Sequence, residues 1–414
     1  FTSANKATGF VCATRYNGLL PSNIRGLIVA KSANTPSVLS MMTALVKLPS
    51  VSSTLPSCDM GNIRVIEQLA TWLEPLGFTI HIQPIAGHKD KANLIATLGS
   101  GSGGLVLAGH TDTVPFNESL WNSDPFTLTE RDNKLYGLGS TDMKGFFAIA
   151  IEALKPFLDQ TLRAPLIILA TADEESSMDG ARSLVQSDLS GARYAVVGEP
   201  TGLKPMRAHK GIVMKGITIK GRSGHSSNPL LGNNALDAMH EVMTGLMQLR
   251  QELVQKYQHP GFSIPTPTMN FGCIHGGDNP NRICGQCELH FDIRTTPGMN
   301  NEELDTLIQN ILSPVAERRA INIGLRALMP GLAAYEEPAN SEIVTLVEQL
   351  TGQAAGTVAF ATEAPFFQQL GMQTIVMGPG SIDQAHQPDE FMALDQIQPT
   401  IDVLQQMIKR FCVN

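Results

Sequence analysis

The residues of this chain that could do chemistry are acids and histidines that follow short apolar runs. The run Pro165–Thr171 leads directly to three carboxylates, Asp173, Glu174 and Glu175. Neighbouring acids at the end of a buried strand repel one another and lose hydration, which is unfavourable unless a cation neutralises them. A solvated acidic turn is one interpretation. The other is a site in which a multivalent cation binds some of the carboxylates and one carboxylate handles protons.

Comparable residues follow other apolar runs of the sequence. His110 and Asp112 come after one run, Glu199 after a second and His386 after a third. Ligands of open α/β sheets bind beyond the carboxyl ends of the strands, so these distant residues are predicted to converge. Two imidazoles and several carboxylates, without a thiolate, suit a catalytic zinc or a similar ion. Along an extended segment, Asp112 can lie on the same side as His110 and orient its imidazole.

Asp142 lies in a glycine-rich turn, GLGSTDMKG, just before a predicted helix. Taken alone it would be interpreted as a helix N-cap. With the residues above, it completes a set of five candidate metal ligands: His110, Asp142, Glu175, Glu199 and His386. If one carboxylate bridges, the set can hold two ions that polarise a carbonyl and acidify a water. Glu174 is then free to act as general base and afterwards as general acid.

Apolar periodicity predicts the elements that position these residues. Helices are predicted over Val38–Val46, Ile63–Leu76, Lys144–Leu158 and Ser183–Leu189. Strands are predicted over Thr79–Gln83, Asn93–Leu98, Leu105–Ala108, Leu166–Thr171, Tyr194–Gly198 and Thr374–Gly378. The alternation indicates an α/β fold with a mixed, mostly parallel sheet.

A different rhythm occupies residues 210–328. Strands are predicted over Gly211–Lys220, Thr268–His275, Gln286–Arg294 and Asn322–Ala327, with helices over Asn233–Tyr257 and Asn301–Arg319. This βαββαβ order predicts an inserted ferredoxin-like α+β domain. The catalytic domain would then comprise residues 35–209 and 329–414, with residues 1–34 outside the fold.

The totals bound the class of protein. The chain has 414 residues and a formal net charge of −8, which argues against nucleic acid or an anionic membrane as partner. Its six sparse cysteines fit a reducing, cytoplasmic compartment. Cys284 and Cys287 form a C-x-x-C that is interpreted as packing rather than as a zinc or redox site. Residues 1–34 contain no acid and are predicted to be either an organellar leader or an upstream extension.

The motifs around the candidate residues resemble one family. They are GHTDTVPF (109–116), LYGLGSTDMKGFFA (135–148), LATADEESSMDGAR (169–182), VVGEPT (196–201), SGHSSNP (223–229) and GPGSIDQAHQPDE (378–390). In this order they resemble the di-zinc aminoacylase and carboxypeptidase family, from about Thr35 to Asn414. The resemblance implies two Zn²⁺ ions, with Co²⁺ or Mn²⁺ as alternatives. One ion would be held by His110, Asp142 and Glu199. The other would be held by Asp142, Glu175 and His386.

The resemblance also implies roles for other residues. Glu174 would be the catalytic base, Asp112 would support His110, and the peptide bond after Asp142 would be cis. The inserted domain corresponds to a lid and dimerisation domain, which implies a homodimer. His225 matches a lid histidine that steadies an oxyanion across the dimer.

Longer strings narrow the substrate within the family. The strings are AHKG (208–211), PTPTMNFGCIHGGDNPNRIC (265–284), FDIRTTPGM (291–299) and ATEAPF (361–366). They resemble one branch of the family, and this resemblance implies hydrolysis of N2-acetyl-L-ornithine to L-ornithine and acetate. The candidate substrate-binding residues are Asn281, Arg282, Arg294, Thr362 and Glu363. A guanidinium can bind an α-carboxylate in bidentate fashion. Glu363 would pair with the δ-ammonium of the substrate, or would be a structural acid near a helix N-terminus.

Two rival functions stay open at this level. One is hydrolysis of succinyl-diaminopimelate or another N-acyl amino acid at the same metal site, with different pocket residues. The other is a metal-binding or interaction protein that kept the fold and lost catalysis. A replaced Glu174 would mark the second, but Glu174 is present.

Overall fold

The computed structural model describes residues 35–189 and 191–413. Its α-helices are α1 (Val38–Val46), α2 (Ile63–Leu73), α3 (Lys144–Leu154), α4 (Asp179–Arg182), α5 (Ala235–Lys256), α6 (Asn301–Arg319), α7 (Glu342–Thr351), α8 (Ala364–Gln369) and α9 (Ile397–Ile408). Its longer strands are β1 (Thr79–Pro84), β2 (Ala92–Leu98), β3 (Gly104–His110), β6 (Leu166–Thr171), β7 (Ala192–Pro200), β9 (Gly211–Lys220), β10 (Thr268–Gly276), β11 (Gln286–Thr295), β12 (Asn322–Ala327) and β15 (Gln373–Gly378). Its short strands are β4 (Thr129–Arg131), β5 (Lys134–Tyr136), β8 (Met206–His209), β13 (Tyr335–Glu336), β14 (Gly356–Val358) and β16 (Phe391–Ala393). The leader-like segment 1–34 lies outside the described residues.

The described chain divides into two compact units. The first comprises the described residues within 1–206, 337–355 and 362–414, and the second comprises 207–336 and 356–361. The sequence assigned residues 207–209, 329–336 and 356–361 to the catalytic domain, but they belong with the second unit. Their pairing explains this. β13 and β14 both pair with β8, and Ile212 and Leu332 exchange backbone hydrogen bonds of 3.0 and 2.8 Å.

The sheet of the first unit brings four parallel strands side by side. Its order is β1-β2-β6-β3-β7-β15. β1, β2 and β6 pair in antiparallel fashion, whereas β6, β3, β7 and β15 run parallel. Parallel neighbours end at the same edge of the sheet, so the segments that follow Thr171, His110, Glu199 and Gly378 begin close together.

Branched apolar residues account for the burial of these strands. Every residue of β3 and of β6 is buried, as continuous apolar runs predict for strands covered on both faces. Leu105 and Ile168 share one core with residues of α1, α2, α3, α7 and α9. The predicted α/β class of this unit is confirmed.

A small sheet fixes the last segment of the site. β16 pairs with β5, so that Phe391 lies opposite Tyr136, and β4 pairs with the other side of β5. This pairing holds the chain that follows His386 beside the glycine-rich turn that carries Asp142.

The helix predicted over Ser183–Leu189 is wrong. The helix in this region is the preceding single turn α4, and residues 183–189 consist of turns and irregular backbone. The Ser183 hydroxyl donates to the Gly180 carbonyl at 2.7 Å, and the Asp188 carboxylate accepts the Val185 N–H at 2.9 Å. These local side-chain bonds compete with helical hydrogen bonds, as Ser and Asp commonly do. Leu184 and Leu189 are still buried, which explains the misleading periodicity.

The second unit contains the predicted βαββαβ arrangement. Its sheet has the order β10-β11-β9-β12, and all neighbouring strands are antiparallel. Helices α5 and α6 pack on it, and Cys284 and Cys287 lie in the apolar core. Both cysteines are free thiols, in agreement with a packing role. Within residues 35–189 and 191–413, no helix has the length and apolar character that a membrane span requires.

Gly378 tests the packing of the strand ends. A Cβ placed there would lie 2.2 Å from the Gly198 carbonyl oxygen, so Gly378→Ala forces β15 away from β7. We expect a loss of about 1–3 kcal/mol in the free energy of unfolding, measured by urea denaturation. Gly324→Ala is the matched strand control, because its nearest neighbour would lie at 4.0 Å. Equal stability of the two variants would contradict this account.

Candidate metal centre

One carboxylate lies between two imidazoles. Asp142 Oδ1 is 3.1 Å from His110 Nε2, and Asp142 Oδ2 is 3.5 Å from His386 Nε2. The two oxygens therefore face different histidines, which is the arrangement that a carboxylate bridging two cations requires. The Asp142–Met143 peptide bond is cis, as the family resemblance implied.

Two further carboxylates complete the cluster. Glu175 lies 3.0 Å from His386 Nε2, and Glu199 Oε1 lies 4.0 Å from His110 Nε2. Two groups have potential ligand atoms that all lie within 4.8 Å of one another: His110 with Asp142 and Glu175, and His110 with Glu174 and Glu199. The fold thus brings together all five residues that the sequence suggested as ligands and the acid that it suggested as base.

Asp112 contacts the cluster through two different groups. Its backbone carbonyl lies 3.0 Å from His110 Nδ1, whereas its carboxylate is 3.7 Å away. A carbonyl can only accept, so Nδ1 of His110 donates to it, and Nε2 is the ring nitrogen that faces Asp142. The carboxylate of Asp112 accepts the backbone N–H groups of Glu174 and Glu175 at 3.2 and 3.0 Å. Asp112 thereby orients the imidazole by its main chain and the acidic turn by its side chain.

The buried acids carry perturbed pKa values. Burial raises the pKa of Glu174 well above its usual range, and the charges of Glu199 and Glu175 add to this effect. Burial likewise raises the pKa of Glu199, reinforced by the charge of Asp142. Such acids resist ionisation because their negative charges are desolvated and close together. A divalent cation would relieve both penalties, so the donor set fits metal ions.

The charged neighbours shift Asp142 and the histidines the other way. Burial alone would raise the pKa of Asp142, but hydrogen bonds to His110 and His386 lower it. Burial opposes protonation of His110, yet its bond to Asp142 and the nearby charge of Glu199 raise its pKa well above 6.5. The bonds of His386 to Asp142 and Glu175 raise its pKa to about 10. Both imidazoles therefore lie in a strongly anionic environment.

The structure adds two residues to which the sequence analysis gave no role. Glu390 is buried, and its carboxylate accepts the backbone N–H groups of Gly139, Thr141 and Asp142 at 3.0, 2.8 and 2.9 Å. Burial raises the pKa of Glu390 to about 8. Lys144 is also buried and donates to the Leu48 carbonyl at 2.9 Å. Both residues stand inside the quoted motifs, but their partners are visible only in three dimensions.

Thr362 and Glu363 are buried in the first unit. Glu363 occupies the N-cap position of α8 without capping it, and instead accepts the Thr171 hydroxyl at 2.9 Å. Its other oxygen, Oε1, is buried without a hydrogen-bond partner among the described residues. Burial raises the pKa of Glu363 to about 7. The side chain thus lies at the carboxyl end of β6, close enough to perturb the pKa of Glu174 and of Glu199.

The remaining candidates lie on the second unit. His225 is exposed, its Nδ1 lies 2.7 Å from the Ser227 hydroxyl, and its backbone bridges to that of Arg282. Arg282 pairs with Asp278 at 2.6 Å. Arg294 pairs with Asp292 at 2.9 Å, and the Asn281 carbonyl accepts the Ser226 N–H at 3.0 Å. The 225 loop and the 278–282 loop therefore form one polar surface, whereas Arg294 lies on β11.

Comparison with known proteins identifies the family. The model of "Peptidase family M20/M25/M40" matches residues 106–410. The chain belongs to this family. It is 52% identical to the acetylornithine deacetylase of Pasteurella multocida (strain Pm70), over 92% of this chain and 99% of that protein. It is 50% identical to the acetylornithine deacetylase of Proteus mirabilis (strain HI4320), over 91% and 97%. The resemblance inferred from the motifs is thus confirmed.

Several solved structures share the fold of this chain. Aminopeptidase PepT from Bacillus cereus ATCC 10987 has a TM-score of 0.70 at 17% identity, covering 90% of this chain and 98% of that one. The YXEP protein of Bacillus subtilis, a dinuclear metal binding peptidase from the M20 family, has a TM-score of 0.63 at 14% identity, covering 90% and 98%. At such identities the likeness concerns the fold, and it agrees with the predicted mixed α/β class.

Glu390 tests how the turn of this M20 centre is held. Glu390→Ala leaves three buried N–H groups without an acceptor, each worth about 1–3 kcal/mol. We expect the free energy of unfolding to fall by at least about 3 kcal/mol, measured by urea denaturation. Glu390→Gln keeps one acceptor oxygen and is expected to lose less. Glu130→Ala, at an exposed acid of the same small sheet, should change stability by less than about 0.5 kcal/mol. A stable Glu390→Ala protein would contradict the role of Glu390 as an acceptor.

Proposed function

We propose that this chain hydrolyses N2-acetyl-L-ornithine to L-ornithine and acetate with the help of two divalent metal ions. The observation that carries the proposal is the identity of about half of the residues with acetylornithine deacetylases over nearly their whole length. The cluster around Asp142 supports the same reaction, because it supplies ligands for two ions and a spare acid. The product would feed arginine biosynthesis.

The proposed ligand sets follow from the arrangement of the cluster. His110, Asp142 and Glu199 would hold one ion. Asp142, Glu175 and His386 would hold the other. Two bound divalent ions polarise an amide carbonyl and lower the pKa of the attacking water. Imidazole and carboxylate ligands without thiolate favour Zn²⁺, with Co²⁺ and Mn²⁺ as alternatives for the same donors.

Glu174 is the proposed acid and base. Its carboxyl group is buried beside Glu199 and His110, and none of the described residues makes a side-chain hydrogen bond to it, so its oxygens are available to the reacting atoms. We infer that it accepts a proton from the attacking water and delivers that proton to the departing α-nitrogen. A carboxyl group whose pKa is raised by burial is suited to both transfers.

Glu363 is the proposed specificity residue. Its buried Oε1 has no hydrogen-bond partner in the part of the chain that the structure describes, and Thr171 donates to the other oxygen. The δ-ammonium of ornithine would supply three donors and a positive charge, which stabilise the ionised carboxylate. A succinyl substrate would present an additional carboxylate, which a buried acid disfavours.

The proposed reaction also includes roles for residues of the second unit. His225 would stabilise the oxyanion, and Asn281, Arg282 and Arg294 would bind polar groups of the substrate. Their support is chemical: the imidazole is exposed, and guanidinium groups bind carboxylates in bidentate fashion. The proposal includes a homodimer formed through this unit, whose strand β10 is an edge strand. It also includes a cytoplasmic location, which the free cysteines support.

Replacing Glu174 tests the chemistry. In Glu174→Gln the side chain keeps its size but cannot carry the proton, so we expect kcat to fall by about 10²–10⁴-fold while bound zinc persists. The release of ornithine and the zinc content by mass spectrometry are the measurements. Glu67→Gln, at an exposed acid of α2, is the control and should match the parent.

One outcome would contradict the role of Glu174, and two others would favour a different function. Parental turnover in Glu174→Gln would remove this residue from the mechanism. If parent and variant bind zinc but cleave no N-acyl amino acid, the chain is a metal-binding protein that lost catalysis. Preference for succinyl-diaminopimelate over acetylornithine would favour the other hydrolase.

Replacing Glu363 tests the substrate. We expect Glu363→Gln to raise KM for N2-acetyl-L-ornithine by about 10-fold or more, since a hydrogen bond to a charged group is worth about 1.5–3 kcal/mol. N-acetyl-L-norvaline lacks the δ-amine, so its KM should change far less. Glu337→Gln is the control, because this buried acid accepts the Thr374 N–H at 3.0 Å, at the other end of β15. Equal changes for both substrates would refute the pairing with the amine.

A further inference from the structure

The first of the three consecutive acids is separated from the other two. Asp173 is buried, and its Oδ1 accepts the Lys91 ammonium at 2.6 Å and the Ser52 hydroxyl at 2.9 Å. Glu174 and Glu175, in contrast, are the acids whose ligand atoms gather with His110. The side chain of Asp173 thus points to other partners than those of Glu174 and Glu175. The backbone at residue 173 must therefore turn so that the three side chains diverge.

The backbone of Asp173 has an uncommon conformation. Its φ is 60°, in the left-handed region that costs a residue other than glycine on the order of 1–3 kcal/mol. Asp and Asn tolerate this region better than most residues. The Asp173 carbonyl accepts the N–H groups of Ser177 and Met178 at 3.1 and 2.6 Å, so the turn also closes on itself. The conformation therefore needs a firm anchor, and the side chain of Asp173 supplies one.

Lys91 makes that anchor a buried ion pair. Its ammonium also contacts Asp59 Oδ1 at 2.7 Å, and its side chain is 4% exposed. Burial would lower the pKa of Lys91, but the bonds to Asp173 and Asp59 raise it, so the charge is kept. Removing one partner of a buried pair leaves the other uncompensated. The Ser52 hydroxyl lies 2.5 Å from that of Ser176, which ties the same anchor to the far side of the acidic turn.

The same region could be taken for a third metal site. Ligand atoms of His88, Asp173 and Asp179 lie within 4.8 Å of one another. However, the Lys91 ammonium already neutralises Asp173 at hydrogen-bond distance. A cation placed beside this ammonium would be repelled, so the cluster is better explained as an ion pair with a neighbouring histidine.

We propose that the Lys91–Asp173 ion pair is a positioning device that sets where the carboxyl groups of Glu174 and Glu175 lie. Asp112 holds the backbone of these two residues from one side, and the ion pair holds the residue immediately before them. Residues 91 and 173 touch no reacting atom in this account. The inference rests on the proposed function, in which Glu175 is a metal ligand and Glu174 the base.

The test uses the full chain and zinc alone as its first probe. Asp173→Asn keeps the size and the tolerance for positive φ but removes the charge, and Lys91→Met removes the ammonium. Zinc is titrated into metal-free protein, and kcat and KM are measured on zinc-loaded protein. We expect each variant to bind one of the two zinc ions about 10–100-fold more weakly, as for other groups that orient metal ligands. In saturating zinc, kcat should fall more than KM changes.

A purely structural role predicts a different pattern. The double variant Lys91→Met/Asp173→Asn leaves only the Asp59 carboxylate without its ammonium partner, and that side chain is 26% exposed, so the double variant should regain most of the thermal stability that each single variant loses. Positioning requires that its zinc affinity and kcat stay low. Recovery of zinc affinity together with stability, or single variants that lose stability alone, would overturn the proposal.

Gentler variants and a control complete the experiment. Lys91→Arg keeps the charge and should keep most of the zinc affinity, and Ser52→Ala should cause a smaller loss, so either can be measured if a single variant does not fold. The Lys155–Glu152 pair, at 2.6 Å, serves as control: Lys155→Met and Glu152→Gln should leave zinc binding unchanged. Because zinc is the probe, a parent that binds two zinc ions but does not deacetylate would refute the function and leave this inference standing. A parent that binds no zinc would refute both.

Discussion

The structure depends on keeping several carboxylates close together in a buried place. Asp142, Glu174, Glu175 and Glu199 share one cluster with two histidines. Their repulsion and lost hydration oppose folding, which is visible in the raised pKa of Glu174 and of Glu199. The same repulsion makes the cluster receptive to divalent cations. The carboxylates at this edge of the sheet therefore destabilise the folded chain and, for the same reason, favour the binding of cations.

Backbone hydrogen bonds fix the turns that carry the acids of this cluster, so the acids stay close together and can bind cations. The carboxylates of Asp112 and Glu390 accept main-chain N–H groups rather than side-chain donors, and so fix the two turns that carry the acids. Lys91 supplies a buried ammonium that neutralises Asp173. Asp112, Glu390 and Asp173 thus interact with backbone N–H groups or with Lys91. The carboxylates of the cluster around Asp142 are instead available to bind metal ions or substrate. This division explains why so many acids can coexist in the first unit.

The proposed chemistry uses the same division. Asp142 faces both histidines, which suits it to bridge two ions, while Glu174 remains free to move a proton. Glu363 adds a buried oxygen that accepts no hydrogen bond from residues 35–189 and 191–413, and a cationic group of the substrate could donate to it. Metal binding, proton transfer and substrate selection would then be performed by separate carboxyl groups, each with its own surroundings.

The sequence by itself determined the class of the fold and most of the cluster. Apolar runs predicted β3, β6, β7 and β15. Because parallel neighbours end at the same edge of a sheet, the residues that follow them lie close together, so the convergence of His110, Glu175 and Glu199 could be predicted. The pattern failed at residues 183–189, where side chains of Ser183 and Asp188 bond to the local backbone. The spacing of apolar residues in this segment indicates which side chains are buried, but it does not indicate a helix.

Only the tertiary structure showed the surroundings of each acid. Asp173, Glu174 and Glu175 are adjacent and chemically alike, and nothing in their order says that the first pairs with Lys91. Nor does the sequence reveal that Glu390 accepts three N–H groups of a turn some 250 positions away. Periodicity reflects which face of an element is buried, which is a local property. The partner of a buried charge is set by the packing of distant segments, and it emerges only when the chain is folded.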